Sequence, residues 1–107
     1  MHQIVTINDI QIGPGQPLAL IAGPCVIESF EITRQIASTL KTLTQKLQIP
    51  LIFKASYDKA NRSSIRSYRG PGVSKGLEIL GRVKRQLALP VLSDVYALKH
   101  GTNSVFF

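Results

Sequence analysis

Cysteine is nearly absent from this chain, which has a single one, Cys25, among 107 residues. One cysteine excludes an internal disulfide, and no charged leader precedes an apolar segment of signal-peptide length, so we expect a cytoplasmic protein. Long apolar runs are missing too. The longest, residues 18–27, is far shorter than the roughly 20 residues of a membrane span, so we expect no membrane partner.

Acidic and aromatic side chains are also scarce. Six Asp and Glu stand against thirteen Lys and Arg, which gives a formal net charge of +7. This balance attracts anions, whether nucleic acid, lipid headgroups or phosphorylated metabolites. Aromatic residues make up 7% of the chain, and Tyr57 and Tyr68 are too few to form a platform on which bases could stack. We therefore expect no nucleic-acid partner.

The apolar content, 44%, is sufficient for one modest globular core. Residues 3–12 carry isoleucines and a valine interrupted by Asn8 and Asp9, which predicts a short two-stranded ribbon. Residues 18–22 form a continuous apolar run, typical of a strand buried on both faces of a parallel sheet. The chain therefore opens with a ribbon followed by a buried strand.

A long helix and a second strand unit come next. Ser29 is a candidate N-cap, and the helix is expected to end before Pro50. Residues 51–53 begin a second buried strand, and a weaker helix is predicted from about Ser74. The side chains of the long helix that share helical spacing, and are expected to face the core, are Ile32, Ile36, Leu40, Leu43 and Leu47.

A third strand, residues 90–95, completes an alternation of strands and helices with short connections. This order predicts an α/β fold with a parallel sheet, as in eight-stranded barrels and doubly wound sheets. In both architectures ligands bind where the strands run into their following loops. Polar side chains gather at these three strand ends, which predicts one site; they are Cys25, Glu28, Lys54, Ser56 and Asp94.

The connection after the second strand is strongly basic. Within residues 54–69, five cationic side chains stand against one carboxylate, Asp58, a local charge of +4. A patch confined to one connection favours a site for phosphorylated substrates. Charge count alone also fits an ordinary solvated surface, and Lys54 alone also fits a side chain that extends to solvent. The five cations are Lys54, Lys59, Arg62, Arg66 and Arg69.

Several motifs together resemble the 3-deoxy-D-manno-octulosonate-8-phosphate synthase family, within the class I DAHP synthases. They are LIAGPCVIES at residues 20–29, FKAS at 53–56, DKANRSS at 58–64, YRGPG at 68–72 and SDV at 93–95. The resemblance implies that residues 1–95 are an incomplete (β/α)8 TIM barrel, with about the first three strands and two helices behind the β ribbon. A full barrel of this kind takes roughly 250 residues.

The resemblance also implies a reaction. Members of the family condense phosphoenolpyruvate with D-arabinose 5-phosphate and water, giving 3-deoxy-D-manno-octulosonate 8-phosphate and phosphate, in the Kdo branch of lipopolysaccharide biosynthesis. Full-length members are homo-oligomers. Both substrates carry phosphate, and phosphoenolpyruvate also carries a carboxylate, so cationic side chains are suited to binding them.

The same resemblance implies catalytic and substrate-binding roles for residues at and after the ends of the second and third strands of the predicted sheet. Lys59 and Asp94 are expected to be catalytic, although Asp94 judged alone fits a turn cap equally well. Arg66 and Arg69 are assigned to loop order or to a subunit contact. The residues expected to hold phosphoenolpyruvate are Lys54, Ser56 and Lys59, and those expected to bind arabinose 5-phosphate are Asn61, Arg62 and Ser63.

Cys25 matters separately, because the metal-dependent branch of the family has cysteine at this position and the other branch has asparagine. The resemblance therefore implies a divalent metal ion bound by the Cys25 thiolate. The other family ligands come from later strands, and His2 and His100 match none of them. Judged alone, a cysteine beside an apolar run is more often a buried spectator.

The last residues, 96–107, depart from the family, which has histidine where this chain has Tyr96. We expect this tail to be a truncation or frameshift product, and the chain by itself to have little or no activity. Three alternatives stay open: a remnant that binds phosphate anions without catalysis, a related 3-deoxy-heptulosonate synthase, and a basic nucleic-acid binder.

Overall fold

The structure, a computed structural model, describes residues 3–58 and 68–95 in full and residues 104–106 as backbone. It opens with the predicted ribbon, in which β1 (Val5–Ile7) pairs antiparallel with β2 (Ile10–Ile12). Asn8 turns the chain between the two strands with φ 53°, a left-handed conformation that asparagine tolerates better than most residues. The ribbon prediction is confirmed.

Three parallel strands form the centre of the main sheet, in the predicted order. They are β3 (Leu20–Ala22), β4 (Leu51–Lys54) and β5 (Val91–Asp94), with Ile21 opposite Ile52 and Phe53 opposite Val91. A fourth strand, β6 (Ser104–Phe106), pairs antiparallel with β5 and was not predicted. The described residues thus form an open α/β sheet and no closed barrel.

Both helices lie where the sequence predicts them. The long helix α1 (Phe30–Leu47) is capped by Ser29, whose Oγ accepts a hydrogen bond from the Ile32 amide at 3.2 Å. It ends at Leu47 and is followed by the C-cap residue Gln48, which is left-handed and lies two residues before Pro50. The second helix α2 (Val73–Leu87) begins one residue before Ser74 and has no side-chain cap. Neither described helix is long and apolar enough to cross a membrane.

The two faces of the sheet bury different partners, because side chains alternate along each strand. Phe53 and Val91 point to the helix-covered face and pack with Ala37 of α1 and Leu80 of α2. On the other face, called here the inner face, Ile52 and Leu92 pack against Ile10 of the ribbon. The ribbon therefore covers the apolar part of the inner face and leaves the helices to cover the outer one.

The expectation that the first strand of the sheet is buried on both faces is wrong. Leu20 and Ile21 are 39% and 46% exposed. The physical reason is position, since β3 lies at the edge of the described sheet with one neighbour, β4. An apolar run thus identified the strand but could not distinguish an edge strand from a central one.

The predicted core stripe of α1 is also partly wrong. Ile36 and Leu40 pack against the core, but Ile32, Leu43 and Leu47 are exposed. The buried positions of α1 are instead occupied by smaller residues, which allow the helix to approach the rest of the protein closely. Two of them are threonines, Thr33 and Thr44, whose hydroxyls donate hydrogen bonds to the carbonyls of Ser29 and Leu40, four residues earlier in each case. These buried residues are Thr33, Ala37 and Thr44.

Candidate functional site

Three predicted site residues meet at the carboxyl ends of β4 and β5. Lys54 Nζ lies 3.3 Å from Asp94 Oδ1, and Ser56 Oγ donates a hydrogen bond to Asp94 Oδ2 at 3.0 Å. Each carboxylate oxygen therefore has a cationic or hydroxyl partner. The side chains of Lys54 and Asp94 are 39% and 25% exposed, so the ion pair borders solvent and is accessible to a ligand.

The strand register explains why these residues meet. Lys54 is opposite Leu92 in the parallel ladder, so the residues two positions further along each strand, Ser56 and Asp94, lie on the same inner face. Below them on that face lies Ile52, which is fully buried. The inner face is thus apolar under the ribbon and becomes polar within two residues, at the strand ends.

Ser56, predicted to hold phosphoenolpyruvate, is almost completely buried. It is 3% exposed, and its hydroxyl hydrogen is used in the bond to Asp94. Its backbone carbonyl accepts a hydrogen bond from the Ile27 amide at 2.9 Å. Ser56 therefore orients Asp94 and anchors the preceding connection, and its hydroxyl oxygen retains acceptor capacity toward a ligand.

The connection that carries Cys25 lies against the end of β4. At Gly23, an added Cβ would lie 1.7 Å from the carbonyl oxygen of Lys54, so glycine is required for the two chain segments to approach. Two residues later, the Cys25 thiol is free and exposed. The alternative reading of Cys25 as a buried spectator is therefore not observed, and the connection lies at the same end of the sheet as Lys54.

A metal ion needs more donors than Cys25 alone supplies. In the described ranges, 3–58 and 68–95, no three His, Cys, Asp or Glu residues are close enough to hold one together. A single thiolate does not make a divalent-metal site. The residues described here do not by themselves fit a metal, and the role of Cys25 as a ligand stays a prediction.

Of the predicted anion-binding residues, several fall on residues 59–67, outside the described part of the chain. The described residues on either side of that stretch contact each other directly. Arg69 Nε donates to Asp58 Oδ1 at 2.7 Å. This hydrogen bond and the negative charge of Asp58 raise the pKa of Arg69. The predicted residues outside the described part are Lys59, Asn61, Arg62, Ser63 and Arg66.

Sequence reasoning missed the structural roles of Asp58 and Tyr68. Asp58 was counted as an opposing charge, whereas it pairs with Arg69. The Tyr68 hydroxyl donates to the carbonyl oxygen of Ile27 at 3.0 Å and so joins two connections at this end of the sheet. The signal available in the sequence was Gly70 and Gly72, since closely spaced glycines mark a turn in which backbones come together.

A separate cleft of about 490 Å³ lies at the opposite end of the sheet, beside the start of β4 and β5. Its charged lining residues are Asp9 and Lys41, and the Lys41 ammonium donates to the carbonyl of Leu87. The described charges of the two places are alike, with one acid and one engaged cation in each. The strand ends that carry Lys54 and Asp94 are the better candidate for an anion site, because ligands of parallel α/β sheets bind at the carboxyl ends of the strands.

The chain matches the model of the DAHP synthetase I family over residues 2–103. It is 62% identical over 96 residues to 2-dehydro-3-deoxyphosphooctonate aldolase of Desulfosudis oleivorans, covering 90% of this chain and 34% of that protein. Proteins of the same name from Coxiella burnetii and Geobacter metallireducens are 56% identical over 93 residues and 50% identical over 99. These matches cover 87% and 92% of this chain, and 33% and 36% of those relatives. The chain thus spans about a third of the length of these curated relatives.

Proposed function

Because the chain belongs to the DAHP synthetase I family, we propose that it is the amino-terminal part of a 2-dehydro-3-deoxyphosphooctonate aldolase. The proposed reaction condenses phosphoenolpyruvate with D-arabinose 5-phosphate and water to give 3-deoxy-D-manno-octulosonate 8-phosphate and phosphate. The observation that carries the proposal is the half-exposed Lys54 ammonium, oriented by Asp94 at the carboxyl ends of parallel strands. In α/β sheets this is the end at which substrates bind.

The proposed substrates fit the charge of this end. Phosphoenolpyruvate carries a phosphate and a carboxylate, and Lys54 would pair with one of them, together with Lys59. Arg62, Asn61 and Ser63 would bind the phosphate and hydroxyls of arabinose 5-phosphate. These roles rest on the resemblance of the DKANRSS motif alone, whose first residue, Asp58, comes two residues after Ser56 in the sequence.

The chemistry proposed for these residues is positioning and charge stabilisation. The enol carbon of phosphoenolpyruvate forms a bond to the aldehyde carbon of the sugar, water adds at the neighbouring carbon, and phosphate leaves from that carbon. The Lys54 ammonium would offset negative charge on phosphoenolpyruvate through these steps. Asp94 would hold that ammonium and stay near the reacting atoms, because its carboxylate contacts both Lys54 and Ser56.

The architecture proposed for the whole protein is an eight-stranded barrel, of which β3, α1, β4, α2 and β5 are the first elements. Three parallel strands with a helix between each pair and helices packed on one face agree with this. Since a barrel of this kind takes roughly 250 residues, the chain accounts for less than half of it. Homo-oligomerisation, a cytoplasmic location and a metal bound by Cys25 remain predictions.

Calorimetric titration of the purified chain with phosphoenolpyruvate, with and without arabinose 5-phosphate, tests the proposal. We expect binding that weakens about tenfold or more in Lys54→Met, as loss of a charge-assisted contact predicts. Lys46→Met is the matched control, because Lys46 lies in the last turn of α1 and carries the same charge. Equal binding by wild type and Lys54→Met contradicts the proposal.

The same samples separate the alternatives. Phosphate release assayed with both substrates distinguishes an active enzyme from a remnant that binds phosphate anions without turnover. A four-carbon aldose phosphate in place of arabinose 5-phosphate tests for a 3-deoxy-heptulosonate synthase, because a seven-carbon product requires a sugar one carbon shorter. Binding of duplex or single-stranded nucleic acid that falls steeply with salt, combined with no response to phosphoenolpyruvate, indicates the basic nucleic-acid binder instead.

A further inference from the structure

We propose that Asp58, Tyr68 and Arg69 are positioning residues that hold together the two ends of the basic connection between β4 and α2. They also fasten that connection to the one between β3 and α1. This inference rests on the proposed function, since it concerns the anion affinity of the same end of the sheet. It assigns Arg69 to an internal contact and not to a phosphate.

The ion pair is the first observation. Arg69 Nε lies 2.7 Å from Asp58 Oδ1, and Asp58 directly follows the buried residues at the end of β4. The Asp58 side chain is largely buried, whereas that of Arg69 is largely exposed. Arg69 therefore reaches back to the carboxylate at the start of the connection, and its Nε hydrogen is engaged there.

The second observation is a backbone contact beside this pair. The Gly72 amide donates to the Tyr57 carbonyl oxygen at 3.2 Å. An added Cβ at Gly70, where φ is 122°, would lie 2.4 Å from that same oxygen. A side chain at Gly70 is thus excluded both by its backbone conformation and by the closeness of Tyr57. The two ends of the connection meet at backbone distance.

The third observation concerns Ile27, which lies two residues after Cys25 and is fully buried. Its amide donates to the Ser56 carbonyl oxygen at 2.9 Å, and its carbonyl oxygen accepts from the Tyr68 hydroxyl at 3.0 Å. One peptide segment of the β3–α1 connection therefore bonds to both ends of the basic connection. The two connections that carry predicted site residues are joined through Ile27.

These contacts have a consequence for binding. The contacts bind Ser56, Tyr57 and Asp58, the residues that follow the Lys54 end of β4. Fixing this strand end lowers the conformational entropy that an anion must remove when it binds beside Lys54, so affinity rises without any new ligand contact. Breaking the ion pair should therefore weaken anion binding even when the mutation makes the connection more positive.

The direction in which Asp58→Asn changes the affinity for anions tests the inference. Asp58→Asn removes a negative charge, so simple electrostatics predicts tighter binding of inorganic phosphate and of phosphoenolpyruvate. The positioning role predicts binding about threefold to fivefold weaker, the scale of a partly exposed ion pair. Glu78→Gln, on an exposed position of α2, removes the same charge and is the control for electrostatics. Calorimetric titration of the full chain gives the affinities.

A charge exchange separates positioning from direct binding. Arg69→Gln should weaken binding as Asp58→Asn does, and the double variant Asp58→Arg with Arg69→Asp should restore most of the wild-type affinity. Unchanged or tighter binding in Asp58→Asn overturns the inference. Failure of the exchange to restore affinity also overturns it, because Arg69 would then contact the anion itself.

Amide hydrogen exchange without ligand keeps the test independent of the proposed function. Asp58→Asn and Tyr68→Phe should each speed exchange of the Gly72 amide by about threefold or more, with the α1 amides unchanged as the internal reference. Unaltered Gly72 protection in both variants overturns the inference. If wild type binds no phosphate while Gly72 exchange responds as expected, the proposed function fails and the positioning contacts stand.

Discussion

The two ends of the inner face of the sheet have opposite characters on the same strands. At the amino end, Ile52 and Leu92 are buried beneath Ile10 of the ribbon. At the carboxyl end, two residues further along each strand, Lys54 and Asp94 form an ion pair beside solvent. This difference shows that residues near the start of each strand contribute to stability, whereas residues at its end are available to bind a ligand. The ribbon covers only the first, apolar part.

The apolar end should therefore show the largest loss of stability on truncation. Ile52→Ala removes a fully buried side chain from the contact with Ile10 and Leu92. We expect unfolding to be easier by about 2–5 kcal/mol, the cost of a cavity together with lost burial. Chemical denaturation of the purified chain measures it.

Ile21→Ala is the matched control, because Ile21 lies opposite Ile52 in the ladder but is 46% exposed on the edge strand. Its truncation should cost less than about 1 kcal/mol, since little apolar area is removed from water in the native state. Equal losses in the two variants contradict the division of the inner face described here.

The fold was largely predictable because local signals agreed with each other. The cap at Ser29, the break before Pro50 and the alternation of strand and helix gave the element order that the structure has. What failed were inferences about neighbours. Exposure of Ile21 and Leu47 depends on which elements pack beside them, and side-chain spacing within one segment contains no such information.

The meeting of Lys54, Ser56 and Asp94 at the strand ends was predictable from the sequence, whereas the contacts that support this end of the sheet were not. Lys54 and Asp94 follow from the rule that ligands bind where parallel strands end. The contact between Tyr68 and Ile27 joins residues far apart in sequence through a backbone carbonyl, which every residue possesses. No residue pattern can therefore distinguish Ile27 as the acceptor before the fold is known.

Gly23, the residue after β3, allows the chain to approach the end of β4 closely at the polar end of the sheet. Gly23→Ala places a methyl group 1.7 Å from the Lys54 carbonyl oxygen, so the backbone must move. We expect a loss of about 1–3 kcal/mol from overpacking, together with weaker phosphate binding, because Lys54 is displaced. Thermal unfolding and calorimetric titration measure the two effects.

Gly81→Ala supplies the control with the opposite sign. Gly81 is in α2, and an added Cβ there meets the Arg85 guanidinium at 3.2 Å, a flexible side chain that can move away. Alanine in a helix interior should stabilise by about 0.5–1 kcal/mol and leave phosphate affinity unchanged. A Gly23→Ala variant that is as stable as wild type contradicts the required backbone approach.

The smallest stability effect is expected at the polar end, from Asp94→Asn. Its ion pair with Lys54 is partly exposed, so the loss of stability should be about 0.5–1 kcal/mol. Removing the carboxylate charge leaves the Lys54 ammonium without its offset, and inorganic phosphate should bind about threefold to fivefold more tightly. This substitution separates stability from binding most clearly, because it is expected to lower the stability of the protein and to raise its affinity for phosphate.

Asp9→Asn is the control for this change, since Asp9 lies at the opposite end of the sheet and its loss alters the net charge equally. If both variants raise phosphate affinity alike, net charge and not the Lys54 site determines binding. If Asp94→Asn weakens binding instead, orientation of Lys54 by Asp94 outweighs its charge. At the polar end, as at the apolar end, the contacts that hold neighbouring side chains in position would then matter more than the charge of the residue that is changed.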